Sequence, residues 1–125
     1  RHGVTALTDV TGFGLLGHLA EMLRASGVGT TLAAGAVPLL AGAQALVEAG
    51  VTSSLHDNNV RVLRDFELGR ASAGGFTPTP TVTPTPLVAL LVDPQTAGGL
   101  LGGVPADRAD ACVAALRAAG YPEAC

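Results

Sequence analysis

The chain has 125 residues, of which 48% are hydrophobic and only 3% aromatic, and its formal net charge is −3. This length fits one domain with a core of small aliphatic side chains, and the acidic balance disfavours nucleic acid as a partner. No apolar run reaches the length of a membrane span, and two cysteines are too few for a disulfide scaffold or a metal knuckle, so we expect a cytoplasmic protein without membrane contact.

The first half of the chain predicts two strands and two helices, followed by a short helical piece. Residues 4–7 predict a strand, and residues 15–26 predict an amphipathic helix that ends at Gly27. Residues 28–33 favour a second strand because threonine prefers extended structure. Pro38 predicts the start of a second helix, since proline suits the first helical turn, and Gly50 predicts its end. Residues 51–59 are polar and turn-rich, and residues 60–68 predict a short helical piece.

The second half begins with a segment of threonines and prolines at residues 71–86. We expect a flexible linker there, because closely spaced prolines cannot donate to a β-ladder. Residues 87–92 then lead into a glycine-rich segment. Residues 100–104 predict a strand weakened by Gly102 and Gly103, and residues 107–119 predict a last helix with Cys112 as a buried, inert thiol. This order predicts an α/β fold with helices on one face of a mixed sheet.

The first candidate functional segment is TDVTGFGLLGH at residues 8–18, called here the first motif. Its glycines and polar groups predict a tight loop that places Asp9 and backbone N–H groups at the start of the helix, where anions and their metal ions are well accommodated. Asp9 as a turn or cap residue is the alternative. His18 lies at the edge of the apolar stripe, which favours packing or capping over catalysis. We assign no function to His2 or His56, which have no partners at ligand spacing.

The second candidate segment is DPQTAGGLL at residues 93–101, called here the second motif. Its start predicts a β-turn with proline at the second position, and Gly98 and Gly99 predict a close approach of the backbone to another group. Mg²⁺ prefers oxygen ligands, often one or two carboxylates together with substrate phosphates. The two motifs therefore predict a phosphate-handling site to which Asp9 contributes one metal ligand.

At these residues the chain resembles the selenophosphate synthetase (selenide, water dikinase) family. The resemblance is to its C-terminal domain, of the type shared with aminoimidazole ribonucleotide synthetase. The family carries Thr-Asp-Val-Thr-Gly-Phe-Gly-Leu-x-Gly-His, reproduced at residues 8–18, and Asp-Pro-Gln-Thr-Ser-Gly-Gly-Leu-Leu, matched at residues 93–101 except for Ala97. Residues 37–40 match a further segment, and residues 53–55 with Asn58 or Asn59 correspond loosely to a small-residue turn followed by asparagine.

The resemblance implies an enzyme that makes selenophosphate, AMP and phosphate from ATP, selenide and water with Mg²⁺. It implies that Asp9 ligates magnesium at the ATP phosphates. The residues expected at the substrate or phosphates are Thr8, Thr11, Gly12, Gly14, His18, Asp93, Gln95, Thr96, Gly98 and Gly99. The family's reactive cysteine or selenocysteine and its lysine belong to an N-terminal ATP-binding domain, so we expect no catalytic residue in this chain.

We therefore expect residues 1–125 to be a single domain and a C-terminal fragment of a longer polypeptide. Its expected partners are the N-terminal domain of that polypeptide, ATP and selenide, and we expect the full-length protein to be a homodimer. Two alternatives stay open. One is a related enzyme of the aminoimidazole ribonucleotide synthetase or thiamine-phosphate kinase type, against which His18 and the second motif favour the selenium enzyme. The other is a non-catalytic scaffold, which the threonine- and proline-rich departure from the family pattern would suit.

Overall fold

The structure is a computed structural model that describes residues 2–66 and 85–125. Its elements are β1 (Ala6–Asp9), α1 (Gly14–Ser26), α2 (Ala43–Glu48), α3 (His56–Asn59), α4 (Pro86–Val92), β2 (Leu100–Gly103) and α5 (Ala109–Ala118). Short 3₁₀ helices lie at Ala34–Ala36, Val60–Asp65 and Ala106–Arg108. The predicted α/β class is confirmed, and the sheet in the described ranges consists of β1 and β2, paired antiparallel. None of the helices in these ranges combines the length and the apolar character that crossing a bilayer requires.

Helix α4 forms the centre of the core. Its sequence, PLVALLV, is apolar on all sides, which is stable in a helix only when other elements surround it. Val92 is fully buried, and it clusters with Leu91 and with Leu16 of α1. Helices α1 and α2 and two of the 3₁₀ helices pack against α4. The core is therefore built from aliphatic side chains, as the low aromatic content predicts.

The start of α4 corrects the predicted end of the linker. Thr85 is the N-cap residue, its hydroxyl accepts a hydrogen bond from the N–H of Val88 (3.4 Å), and Pro86 occupies the first helical turn. Both residues are typical of a helix start, so the extended linker predicted for residues 71–86 does not include its last two residues. The rest of that segment, residues 71–84, lies outside the described residues, as do residues 67 and 68.

Two predicted elements in the first half are wrong. Residues 28–33 form no strand, and Val28 is 59% exposed. No described strand lies beside them, and β-propensity depends on such a neighbour. The helix predicted from Pro38 begins only at Ala43, because Gly42 has a left-handed backbone (φ +84°) that a right-handed helix cannot continue through. Leu40 is 83% exposed as a result.

Smaller shifts affect the remaining elements. The first strand lies at Ala6–Asp9 instead of residues 4–7, and the turn-rich segment 51–59 contains α3. The last predicted helix is divided into a 3₁₀ turn and α5, and Cys112 is half-buried instead of fully buried. Gly27 does end α1, with φ +65°. The sequence predicted helices α1 and α5 and strands β1 and β2 with shifted boundaries, whereas it predicted no helix at α3 or α4.

Gly14 and Gly27 offer a matched test of the contact between α1 and α4. Both are left-handed (φ +66° and +65°), but a Cβ on Gly14 would lie 2.6 Å from the backbone carbonyl of Val92, whereas Gly27 faces open space. We expect Gly27→Ala to lower the free energy of unfolding by about 1–2 kcal/mol through backbone strain alone. Gly14→Ala adds a clash with backbone that cannot move aside, for a total of about 3 kcal/mol or more. Urea unfolding measures both, and equal losses would contradict the packing argument.

Candidate functional site

The two motifs meet through their backbones. The N–H of Val10 donates to the carbonyl of Gly99 (2.9 Å), the N–H of Gly98 donates to the carbonyl of Val10 (3.1 Å), and the N–H of Gln95 donates to the carbonyl of Thr11 (3.0 Å). A Cβ on Gly98 would lie 2.3 Å from the Val10 carbonyl oxygen. The predicted close backbone approach at Gly98 is confirmed, and the group approached is the first motif itself.

Asn59, at the end of α3, joins the two motifs from a third segment. Its side-chain amide nitrogen donates to the carbonyl of Gly12 (2.8 Å) and to the carbonyl of Val92, just before the second motif (3.0 Å). These two carbonyls have no partner within a helix or strand ladder, and unpaired backbone groups are costly where water is scarce. One amide group therefore fixes the separation of the two motifs.

His18 holds the first motif from within α1. Its ring is buried, at 8% exposure, and its Nε2 accepts a hydrogen bond from the backbone N–H of Thr11 (3.1 Å). Because that nitrogen is an acceptor, the ring proton lies on Nδ1, which is 3.8 Å from the Glu21 carboxylate. The Thr11 hydroxyl is 3.3 Å from the same Nε2. This geometry agrees with the expected packing or capping function: Nε2 is bonded to the first motif, and Nδ1 lies beyond hydrogen-bond distance of Glu21.

Asp93 is held by the first residue of α3 and by the segment before that helix. Its Oδ1 accepts hydrogen bonds from the Nδ1 of His56 (2.9 Å) and from the backbone N–H of Ser53 (3.1 Å). The side chains of Asp93 and His56 are only 18% and 11% exposed. His56, to which no function was assigned from the sequence, is the partner of a motif carboxylate, and hydrogen bonds to a carboxylate are among the stronger ones.

Asp9 occupies a different environment from the one predicted. It is the last residue of β1, opposite Leu100, and α1 begins only at Gly14, so it does not lie on the glycine loop at the helix start. Its side chain is exposed, and it forms no ion pair or side-chain hydrogen bond in the described part of the chain. No group of three or more His, Cys, Asp or Glu side chains suited to a metal occurs among those residues. One unpaired carboxylate fits a single Mg²⁺ ligand, provided that the others come from elsewhere.

The predicted site residues divide into enclosed and open groups. The enclosed ones have their polar groups bonded, or their Cα packed, inside the joined motifs: Thr11, Gly14, His18, Asp93 and Gln95. Gly98 is exposed to solvent, although its Cα faces the Val10 carbonyl. The hydroxyl of Thr8 donates to the carbonyl of Asp9 (3.2 Å). Asp9, Thr96 and Gly99 are exposed, and a Cβ on Gly12 or Gly99 would meet nothing. The open residues are therefore the ones that a ligand could contact directly. The enclosed residues hold the open ones in position.

His56 was not identified as a site residue from the sequence. The sequence also left open whether Asn58 or Asn59 faces the motifs. The partners of His56 and Asn59 lie 33 to 47 residues away along the chain, so no local spacing reveals them. The one usable signal was the pair of asparagines at positions 58 and 59 in a polar, turn-rich stretch. Which of the two faces inward depends on the position of α3 against the motifs, and only the folded chain supplies it.

The chain is similar to known proteins over almost all of its length. The family profile described as AIR synthase related protein, C-terminal domain, matches residues 1–125. The chain is 43% identical to the selenide, water dikinase of Rhizobium meliloti over 95% of its length and 41% identical to that of Burkholderia pseudomallei over 98%. It is 40% identical to that of Myxococcus xanthus over 97% of its length. These alignments cover 31% to 32% of the relatives, so the chain spans about a third of the length of each.

The Asn59 amide can be tested with a charge-matched pair of variants. Asn59→Asp replaces a donor with an oxygen that faces two carbonyl oxygens, and we expect the free energy of unfolding to fall by about 2 kcal/mol or more. Asn58→Asp adds the same charge on the exposed neighbour, and its effect should stay within about 0.5 kcal/mol. Denaturant unfolding of the two variants beside the parent chain is the measurement. Similar losses in both variants would show that charge, and not the two carbonyls, decides the outcome.

Proposed function

Because the chain belongs to the AIR synthase related protein family, as its C-terminal domain, we propose that it is the C-terminal domain of a selenide, water dikinase. The full-length enzyme would make selenophosphate, AMP and phosphate from ATP, selenide and water. The observation that carries the proposal is the identity of about 40% to three enzymes of this name over nearly the whole chain. The names of these relatives favour this reaction over that of the aminoimidazole ribonucleotide synthetase or thiamine-phosphate kinase type.

In this proposal the chain supplies one wall of a Mg–ATP site. Asp9 would be a magnesium ligand, and Gly12, Thr96 and Gly99 would lie beside the phosphates, because these positions are open. Bound Mg²⁺ would offset the negative charge that develops on the phosphates during transfer. The enclosed residues hold this wall in shape: Asn59 and His18 fix the first motif, and the pair of His56 and Asp93 fixes the second.

The other wall would come from an N-terminal ATP-binding domain of the same polypeptide. A lone carboxylate and a few backbone groups leave most of the coordination sphere of a magnesium ion unfilled. Among the described residues, no group of three or more His, Cys, Asp or Glu side chains is placed to hold a metal ion. The remaining ligands and the nucleophile would therefore lie in a part of the full-length protein that corresponds to the unmatched two thirds of the relatives. We also propose that the full-length protein is a homodimer.

The chain by itself should form no selenophosphate. We expect purified residues 1–125, given ATP, Mg²⁺ and selenide, to release AMP no faster than a protein-free control, because one wall supplies too few ligands. Selenide-dependent AMP release above that control would contradict the proposed division of the site. The Rhizobium meliloti enzyme assayed beside it shows that the assay detects turnover.

The function of Asp9 requires a full-length protein. We suggest a chimera in which this chain replaces the matching third of the Rhizobium meliloti enzyme. Asp9→Asn keeps the shape of the side chain and removes its charge, and loss of such a ligand costs several kcal/mol at the transition state, so turnover should fall by about a hundredfold or more. Titration of AMP formation with Mg²⁺ is the measurement.

Asp110→Asn is the control for Asp9→Asn, because it neutralises an exposed carboxylate on α5. Its turnover and its Mg²⁺ requirement should match those of the unsubstituted chimera. Thermal melting of both variants checks that the fold survives. Near-normal turnover of Asp9→Asn with an unchanged Mg²⁺ requirement would show that Asp9 is not a magnesium ligand.

A further inference from the structure

The two strands form a ribbon with one strongly exposed side, called here the ribbon face and made of Leu7, Asp9, Leu100 and Gly102. These residues share a side because directly opposed residues of an antiparallel pair do so, and Leu7 opposes Gly102 while Asp9 opposes Leu100. Leu7 is 62% and Leu100 is 74% exposed. The Cδ1 of Leu7 lies 3.4 Å from the point where a Cβ of Gly102 would stand, so leucine covers the glycine.

The ribbon face is an unfavourable surface to leave in water. A two-stranded ribbon is at best marginally stable unless one face packs against other structure, and the opposite side, which includes Ala6, Thr8 and Leu101, is only half-buried. Within the described ranges, the outer edges of both strands also have no strand partner. Two exposed leucines on one side of a ribbon, beside strand edges that have no partner among the described residues, are typical of an interaction surface.

The length of the relatives indicates what covers this face. The matched family segment is a C-terminal domain, and the chain covers 31% and 32% of the two relatives named first above. In such proteins about two thirds of the polypeptide lies outside the matched part. In the proposed full-length protein that portion would be attached to this chain, so its docking would not incur the entropy cost of bringing two free molecules together.

Asp9 gives a second reason for this occupant. It lies on the ribbon face beside Leu100 without a partner, and a surface that covers the leucines must also approach the carboxylate. A second copy of the chain, docked by the same face about a two-fold axis, would bring two Asp9 carboxylates into one interface, where like charges repel. A different domain can instead bring the groups that complete a cation site.

We propose that the ribbon face is the docking surface for the N-terminal portion of the same polypeptide, and that docking encloses Asp9 at the edge of the contact. This inference rests on the proposed function, since it takes the chain to be one domain of the longer enzyme. The partner surface is expected to be apolar opposite Leu7 and Leu100 and to carry metal or phosphate ligands opposite Asp9.

Thiol labelling tests this contact. Leu100→Cys and Leu40→Cys are made in the chain, with Cys112 and Cys125 replaced by serine, both alone and in the chimera described above. Leu40 is the matched control, because it is 83% exposed and lies away from the ribbon in sequence. Labelling with a maleimide is read by mass spectrometry of the peptide that contains each site. In the chain alone, both positions should react quickly.

In the chimera, labelling of Leu100→Cys should slow by about tenfold or more, while labelling of Leu40→Cys stays unchanged. Hydrogen exchange at residues 4–9 of the unsubstituted proteins gives the same comparison without any substitution. Equal labelling of Leu100→Cys in the chain and the chimera would overturn the proposal. Concentration-dependent protection in the chain alone would overturn it in favour of a second copy.

The labelling result is independent of the reaction. Protection of Leu100→Cys in a chimera that forms no AMP would support the docking surface and count against the proposed activity. Turnover in a chimera whose ribbon face labels freely would support the activity and overturn the docking surface. The two proposals therefore fail separately.

Discussion

The direct contact between the backbones of two glycine-rich segments is the constraint on which the rest of this structure depends. Gly98 meets the Val10 carbonyl and Gly14 meets the Val92 carbonyl at separations that leave no room for a Cβ. Backbone groups at this distance can bond to each other directly, which joins the end of β1 to the turn before β2. The position of α1, which begins at Gly14, follows from the same contact.

Three polar side chains fix this contact where the apolar core does not reach. The core is small and aliphatic, and such side chains tolerate repacking, so they specify position poorly. Hydrogen bonds are directional, and a partly buried donor or acceptor left unpaired is costly. Asn59, His18 and the Asp93 carboxylate each bond to a group in another segment or another turn. The segment around α3, which has little core of its own, is thereby tied to both motifs.

The same arrangement explains why the candidate site faces outward. Several polar groups of the two motifs bond to each other, whereas Asp9 at the end of β1 and Thr96 in the turn before β2 are exposed. Asp9 lies opposite Leu100, one of the exposed leucines of the ribbon face. A site whose internal hydrogen bonds lie within the joined motifs and whose free groups lie beside an apolar surface is suited to the proposed completion by another domain.

The sequence by itself determined the α/β class, the first helix with its end at Gly27, the family and the two motifs. These are local properties: helical periodicity, a glycine that tolerates a left-handed backbone, and residue order within about ten positions. Segment 28–33 was misassigned because its strand propensity required a neighbour that is absent from the described residues.

Only the tertiary structure decided which motif residues are open and which are enclosed. It placed Asp9 on the ribbon and selected Asn59 over Asn58, and it gave His56 a partner 37 residues away. These facts depend on distances between segments that are far apart along the chain. The sequence contains the residues that form such contacts, but the packing of α1 and α4 determines which of them meet.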